Sequence, residues 1–247
     1  MKIRPTKKLQ WEAWRIIPSR NPPIDLYRRV APPGDWASVI SVELMTNPRV
    51  REMREGLGLV RPEDLKGGAT QNWILAPFTY LNPEGNQFCD GTFGTCFQAQ
   101  HFEIALTESI RLRQNFLHRT SEAAVRLDMR VLKTQLHGEF DDATKLDPFD
   151  NDDARKKYWK ARRQEGCDGA FFLSADVSEG QCVEVFRPRV MSNAVQERHL
   201  SYLWDGQRIS EAYDFAQGKS IDLDHLRKTG KIRYVEKEPA GRNYATR

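Results

Sequence analysis

Asp90-Gly91-Thr92-Phe93-Gly94-Thr95-Cys96-Phe97-Gln98-Ala99 runs directly into a helical pattern that contains Ala105-Leu106-Thr107-Glu108-Ser109. Far downstream it is answered by Gly180-Gln181-Cys182-Val183-Glu184-Val185-Phe186-Arg187-Pro188. The first stretch reads as a short strand over 93–99 feeding a helix from about Phe102, and the second as a strand that Pro188 ends. Gly91 and Gly94 do not have the spacing of a dinucleotide-binding GxGxxG turn, and no GxxxxGK[ST] loop occurs in the chain. Without those loops, and without regular alternation of strand and helix, the chain reads as α+β and not as a doubly wound sheet.

Working outward, Pro18, Pro22, Pro23, Pro32 and Pro33 break the N-terminal segment into extended pieces, one of them a strand through 14–17. Residues 48–57 read as a charged helix, 74–81 as an apolar segment and 82–86 as a turn rich in Asn, Pro and Gly. A strand is expected over 127–136, then an acidic loop over 141–153 and a basic helix over 154–164 capped by Asn151 or Asp152. Strands over 169–174 and 181–186 follow, joined by a polar turn. A hairpin then turns at Asp205-Gly206 between 199–204 and 207–213. Residues 222–227 suit a short helix, and the last few residues a loose tail.

Composition narrows the classes of function. A chain of 247 residues with 39% apolar residues can close one large core, so one domain is the expectation. The 38 basic and 34 acidic residues leave a formal charge of only +4. A dedicated nucleic-acid binder usually carries a larger, clustered surplus, and Trp11 and Trp14 among basic residues read as strand core and not as base-stacking platforms. No apolar run is long enough to span a membrane and no secretory leader is read at the start, so a cytoplasmic protein is the expectation. Cys89, Cys96, Cys167 and Cys182 show neither CxxC pairing nor a nearby ligand spacing with the five histidines, so neither a metal nor a disulfide framework is expected.

Taken together with Trp14-Arg15-Ile16 and Tyr202-Leu203-Trp204-Asp205-Gly206, the two opening motifs resemble the RES-domain family, NAD-consuming toxins of bacterial toxin–antitoxin pairs. The resemblance is clearest over 14–209, which gives a RES-like NAD-site domain over 1–215 and a basic C-terminal extension over 216–247. It implies an ADP-ribosyltransferase-like fold, in which split mixed β-sheets with flanking helices hold NAD in a central cleft. It also implies NAD as substrate, without a metal, and degradation at the nicotinamide–ribose bond. That degradation is phosphorolysis, hydrolysis or ADP-ribosyl transfer to a protein acceptor. A cognate antitoxin is the implied partner.

Departure of nicotinamide leaves an oxocarbenium-like ribose, which needs a carboxylate beside it. The resemblance assigns that part to Glu108. On the helix, Phe102, Ala105, Leu106, Ser109, Arg113 and Phe116 recur at three- and four-residue steps, the small or apolar members form one face, and Glu108 falls about 90° from its centre, where it would point along the rim of a cleft. Arg15 stands where the family has an early Arg, and a guanidinium suits the diphosphate. Ser174, six residues before Gly180, matches the family Ser and can bond phosphate or ribose. No GxSxG elbow surrounds it, so a nucleophilic triad is not indicated. Arg20 also lies in a family-like stretch, without an assigned role.

Three positions depart from the family pattern. Gln87 stands where members carry an Arg, Phe97 where they carry a Tyr, and Asp176 where an Arg often lies two residues after the Ser. Gln87 can still donate to a phosphate, and Phe97 keeps a ring face for nicotinamide, so both remain candidate NAD contacts. Asp176 would repel a diphosphate. Two readings stay open: a NAD-degrading enzyme, or a catalytically degenerate RES-like module that binds NAD or a partner protein.

Overall fold

Residues 6–18 are apolar on both faces, with Leu9, Trp11 and Ala13 on one and Trp14 and Ile16 on the other, so a strand here must be covered from both sides. The computed structural model describes residues 5–19, 57–64, 71–144 and 151–236, with isolated positions among 35–45. The expected helix over 48–57, all but its last residue, and Arg20 lie outside them. Strand β1 (Thr6–Pro18) pairs antiparallel with β3 (Val125–Asp142), from Thr6 opposite Asp141 to Pro18 opposite Met129. Leu9, Trp11 and Ala13 pack with Leu136, Phe140 and Phe171, and Trp14 and Ile16 pack with Phe102, Met129 and Val131. The central pair of strands therefore has an apolar cluster on each side.

The pairings resolve into two groups. In one, β3 carries β1 on one edge and β6 (Met191–Trp204) on the other, and β7 (Ile209–Asp214), β8 (Lys219–Ile221) and β9 (Tyr234–Val235) continue the order. In the other, β5 (Gln181–Val185) lies between β2 (Cys96–Ala99) and β4 (Gly169–Leu173). Two short seams join them. Trp14 of β1 lies opposite Ala99 of β2, and Asp141 and Asp142 of β3 run parallel to Ala170 and Phe171 of β4. The fold is thus α+β with a split, mixed sheet, as expected.

Strand β2 is shorter than the expected 93–99 because Gly91–Gly94 loops against helix α1 (Gln71–Thr79). A Cβ on Gly94 would lie 2.2 Å from the Pro77 carbonyl oxygen, so only glycine fits there. Strand β3 is longer than 127–136. Phe140, beyond the expected strand, and Asp141, expected to open the acidic loop, are strand residues in the core.

Helix α2 (Phe102–His118) lies across a seam. Phe102, Leu106, Ile110 and Leu117 join the cluster under β3 and β6, while Ile104 and Ala105 pack on Ala99 and Cys182 of the smaller sheet. The helix thus has two apolar faces where its spacing predicts one, and Phe116 is exposed. Helix α3 (Asp152–Gln164) is capped by Asn151, whose side chain accepts from the Ala154 amide at 2.9 Å. It pins the 82–95 loop through the Lys160–Asp90 pair and through Arg155, which donates to the Gln87 carbonyl at 2.9 Å.

The hairpin turns at Asp205-Gly206, where Asp205 accepts from the Gln207 and Arg208 amides. Beyond Phe215 the chain stays in the sheet. Helix α4 (Leu223–Thr229) is capped by Asp222 and lies between β8 and β9, and Ile221, Leu223 and Leu226 are buried in the larger cluster.

Candidate functional site

Ser174 follows the last residue of β4, and its amide donates to the Gly180 carbonyl at 2.7 Å, closing the turn before β5. Its Oγ accepts from the Asp176 and Val177 amides, each at 3.2 Å. With its acceptor side taken by the turn, the hydroxyl hydrogen is aimed outward, and it donates to Oε1 of Glu108 at 2.8 Å. Two residues 66 positions apart in the chain are thereby joined across the seam.

Glu108 is not on a rim. Its side chain is only 4% exposed, because Ile104 one turn earlier and Ala105 lie flat on the smaller sheet and carry Glu108 inward with them. A buried carboxylate must be paired. Oε2 accepts from Arg111 through Nε at 3.1 Å and Nη2 at 2.5 Å, one turn along the same helix. Arg111 also meets Asp176, Nε to Oδ2 at 3.1 Å. Glu108, Ser174, Arg111 and Asp176 therefore form one cluster. The sequence reading missed Arg111, although its i,i+3 spacing from Glu108 was the available signal.

Arg15 belongs to a different cluster. It sits on β1 opposite Leu132, within electrostatic reach of Cys96 and Glu184. Among the described contacts none joins it to Glu108 or Ser174. Glu184, opposite Phe97 on β5, is buried, and Asn86 donates to its Oε1 at 3.1 Å. Burial pushes this carboxyl up to about 7, against the pull of hydrogen bonds from Thr95 and Asn86 and the charge of Arg15. Cys182 is two residues from Glu184 on the same face of β5. Its burial, reinforced by the charges of Glu108 and Glu184, pushes the thiol well above its ordinary value. It stays protonated at neutral pH and is no nucleophile.

Phe97 is half-buried and packs on Phe172 with ring centres 6.3 Å apart, in an apolar patch that also takes in Trp14, Ile16 and Val177. The patch adjoins Glu184, since Phe97 lies opposite it. Gln87 is exposed on the loop held by α3. Among the described residues no group of three or more His, Cys, Asp or Glu is placed to hold a metal ion, and the four cysteines are unpaired. No helix among them is long and apolar enough to cross a membrane.

The protein is thus a split-sheet α+β protein whose buried Glu108 carboxylate is held by the Ser174 hydroxyl and the Arg111 guanidinium. The model of the RES domain matches residues 63–205, and the chain belongs to that family. The "Uncharacterized protein y4oC" of Sinorhizobium fredii is 38% identical over 204 residues, covering 83% of this chain and 87% of that protein. Among solved structures, the M. tuberculosis MbcT–MbcA toxin–antitoxin complex contains a chain that aligns with 10% identity and a TM-score of 0.40, covering 78% of this chain and 86% of that one. That likeness is too distant to bear on the chemistry.

Proposed function

We propose that the protein is a RES-type toxin that breaks the nicotinamide–ribose bond of NAD and is silenced by a cognate antitoxin in the cytoplasm. The observation that carries this reading is the Glu108 carboxylate, buried at the seam of the split sheet and oriented by Ser174. In the reaction the C1′–N bond breaks, its electron pair leaves with nicotinamide, and the ribose is left with positive charge. A fixed carboxylate in a poorly solvated place favours that charge more than it favours the ground state. Water, phosphate or a protein side chain then adds at C1′ and gives up any proton it carries. The apolar patch around Phe97 offers the nicotinamide ring a face to stack on.

Expression in a bacterial host tests the reading. Cellular NAD should fall and growth stop with the unaltered protein but not with Glu108→Gln, and co-expression of the antitoxin should restore growth.

The second reading, a RES-like module without turnover, draws on Gln87 and on the ion pair with Arg111 that already occupies Glu108. It predicts NAD binding without loss of NAD.

A further inference from the structure

The guanidinium expected near the diphosphate is missing at position 87, and an acid stands at 176 where an Arg is common in the family. Arg111 is the residue that Asp176 meets. Its side chain is 44% exposed, while the Glu108 carboxylate beneath it is 4% exposed, so Arg111 forms the solvent side of the cluster. Its guanidinium faces two carboxylates, Glu108 and Asp176, and Asp176 is itself 40% exposed. Arg111 keeps donors beyond those that these carboxylates use, and an incoming anion must outweigh the negative charge that the two carboxylates leave on the cluster.

We infer that Arg111 supplies the diphosphate-binding guanidinium of this site and that Asp176 competes with the ligand for it. This rests on the NAD reading of the same site. A diphosphate arriving from solvent meets the exposed edge of Arg111 and takes over donors from Asp176, while Ser174 keeps Glu108 in place for the ribose. Asp176 then has a function opposite in sign to that of Arg111. It holds the guanidinium in position in the free protein and lowers affinity for the anion by repelling it. Arg111 restores what Gln87 lacks, from a helix and not from the loop.

The opposition of sign makes a test. Calorimetric titration with ADP-ribose, which carries the diphosphate and has no nicotinamide to lose, should show Arg111→Ala weaker by about tenfold or more, the loss of a charge-assisted hydrogen bond. Arg111→Lys should recover part of that, since it keeps the charge and loses the fork. Asp176→Asn should bind several-fold more tightly, by roughly the weight of one exposed charge. Were the Arg111–Asp176 pair merely structural, breaking it from either end would move affinity in the same direction, and thermal melts of each variant separate folding from binding. Unchanged affinity in Arg111→Ala, a shift of the same sign in Arg111→Ala and Asp176→Asn, or no binding by the unaltered protein overturns the inference. NAD turnover that persists while ADP-ribose binding ignores Arg111 sinks this inference alone. Binding through Arg111 without turnover sinks only the NAD-degrading reading.

Discussion

Glu184→Gln should make the protein more stable at alkaline pH than the unaltered chain, by an amount the site geometry sets. The carboxyl is buried against Asn86 and Thr95, and its value rises from 4.5 to about 7. A carboxyl raised in the folded state contributes stability that is fully present below 4.5, where folded and unfolded chains are both protonated. That contribution is lost as pH rises through 7, where the folded chain must hold a buried charge. At about 1.4 kcal/mol per pH unit the interval corresponds to roughly 3 kcal/mol. Glutamine has the shape of the protonated acid and cannot ionise, so the variant escapes this loss. Denaturant unfolding of both proteins from pH 4.5 to 8 measures it, and taking their difference cancels every other titrating group. The variant should gain about 3 kcal/mol on the unaltered protein across that range. A difference that does not change with pH, or one in which the unaltered protein gains, would show that Arg15 holds Glu184 ionised and would refute the reasoning.

Ser174→Ala removes the donor to Glu108 Oε1 and the acceptor for two turn amides. It should cost about 1–2 kcal/mol in denaturant unfolding and slow NAD loss by tenfold or more. Arg162→Met leaves Asp141, which is 1% exposed, without the guanidinium that donates to both its oxygens. Calorimetric melting should show a loss of ~3 kcal/mol, and a loss near zero would mean that water enters there. Gly94→Ala drives a Cβ into the Pro77 carbonyl and should prevent soluble expression or sharply lower the melting temperature, whereas Gly206→Ala, with open space around it but a φ of +98°, should cost only about 1–2 kcal/mol of backbone strain.

Local chemistry made much of the fold readable. The Asp205-Gly206 hairpin, the cap at Asn151 and the start of α2 at Phe102 all follow from turn, cap and periodicity signals that act within a few residues. The full length of β3 was hidden because Gly138 interrupts the apolar pattern and the acidic end at Asp141-Asp142 looks like a loop. The split sheet came from family resemblance, since the one-pair seam between Trp14 and Ala99 leaves no mark in either segment. Glu108 and Ser174 were named from the sequence, but their contact depends on α2 lying across that seam. The same placement buries Glu108, because Ile104 and Ala105 form a second apolar face only when β2 and β5 lie beneath them. Arg15 was grouped with Glu108 and stands instead beside Cys96 and Glu184, a separation set by which way its strand faces.

The central claim is that Glu108, fixed by Ser174, supports loss of nicotinamide from NAD. Incubating purified protein with NAD, with and without phosphate, and following free nicotinamide and the ribose product tests it most directly, with Glu108→Gln as the paired sample. The account predicts nicotinamide release by the unaltered protein and at least a hundredfold less, about 3 kcal/mol of transition-state stabilisation, from a Glu108→Gln variant that still melts cooperatively. Dependence on phosphate would identify phosphate as the acceptor. Intact NAD with the unaltered protein, or equal release by a folded Glu108→Gln, would contradict the account.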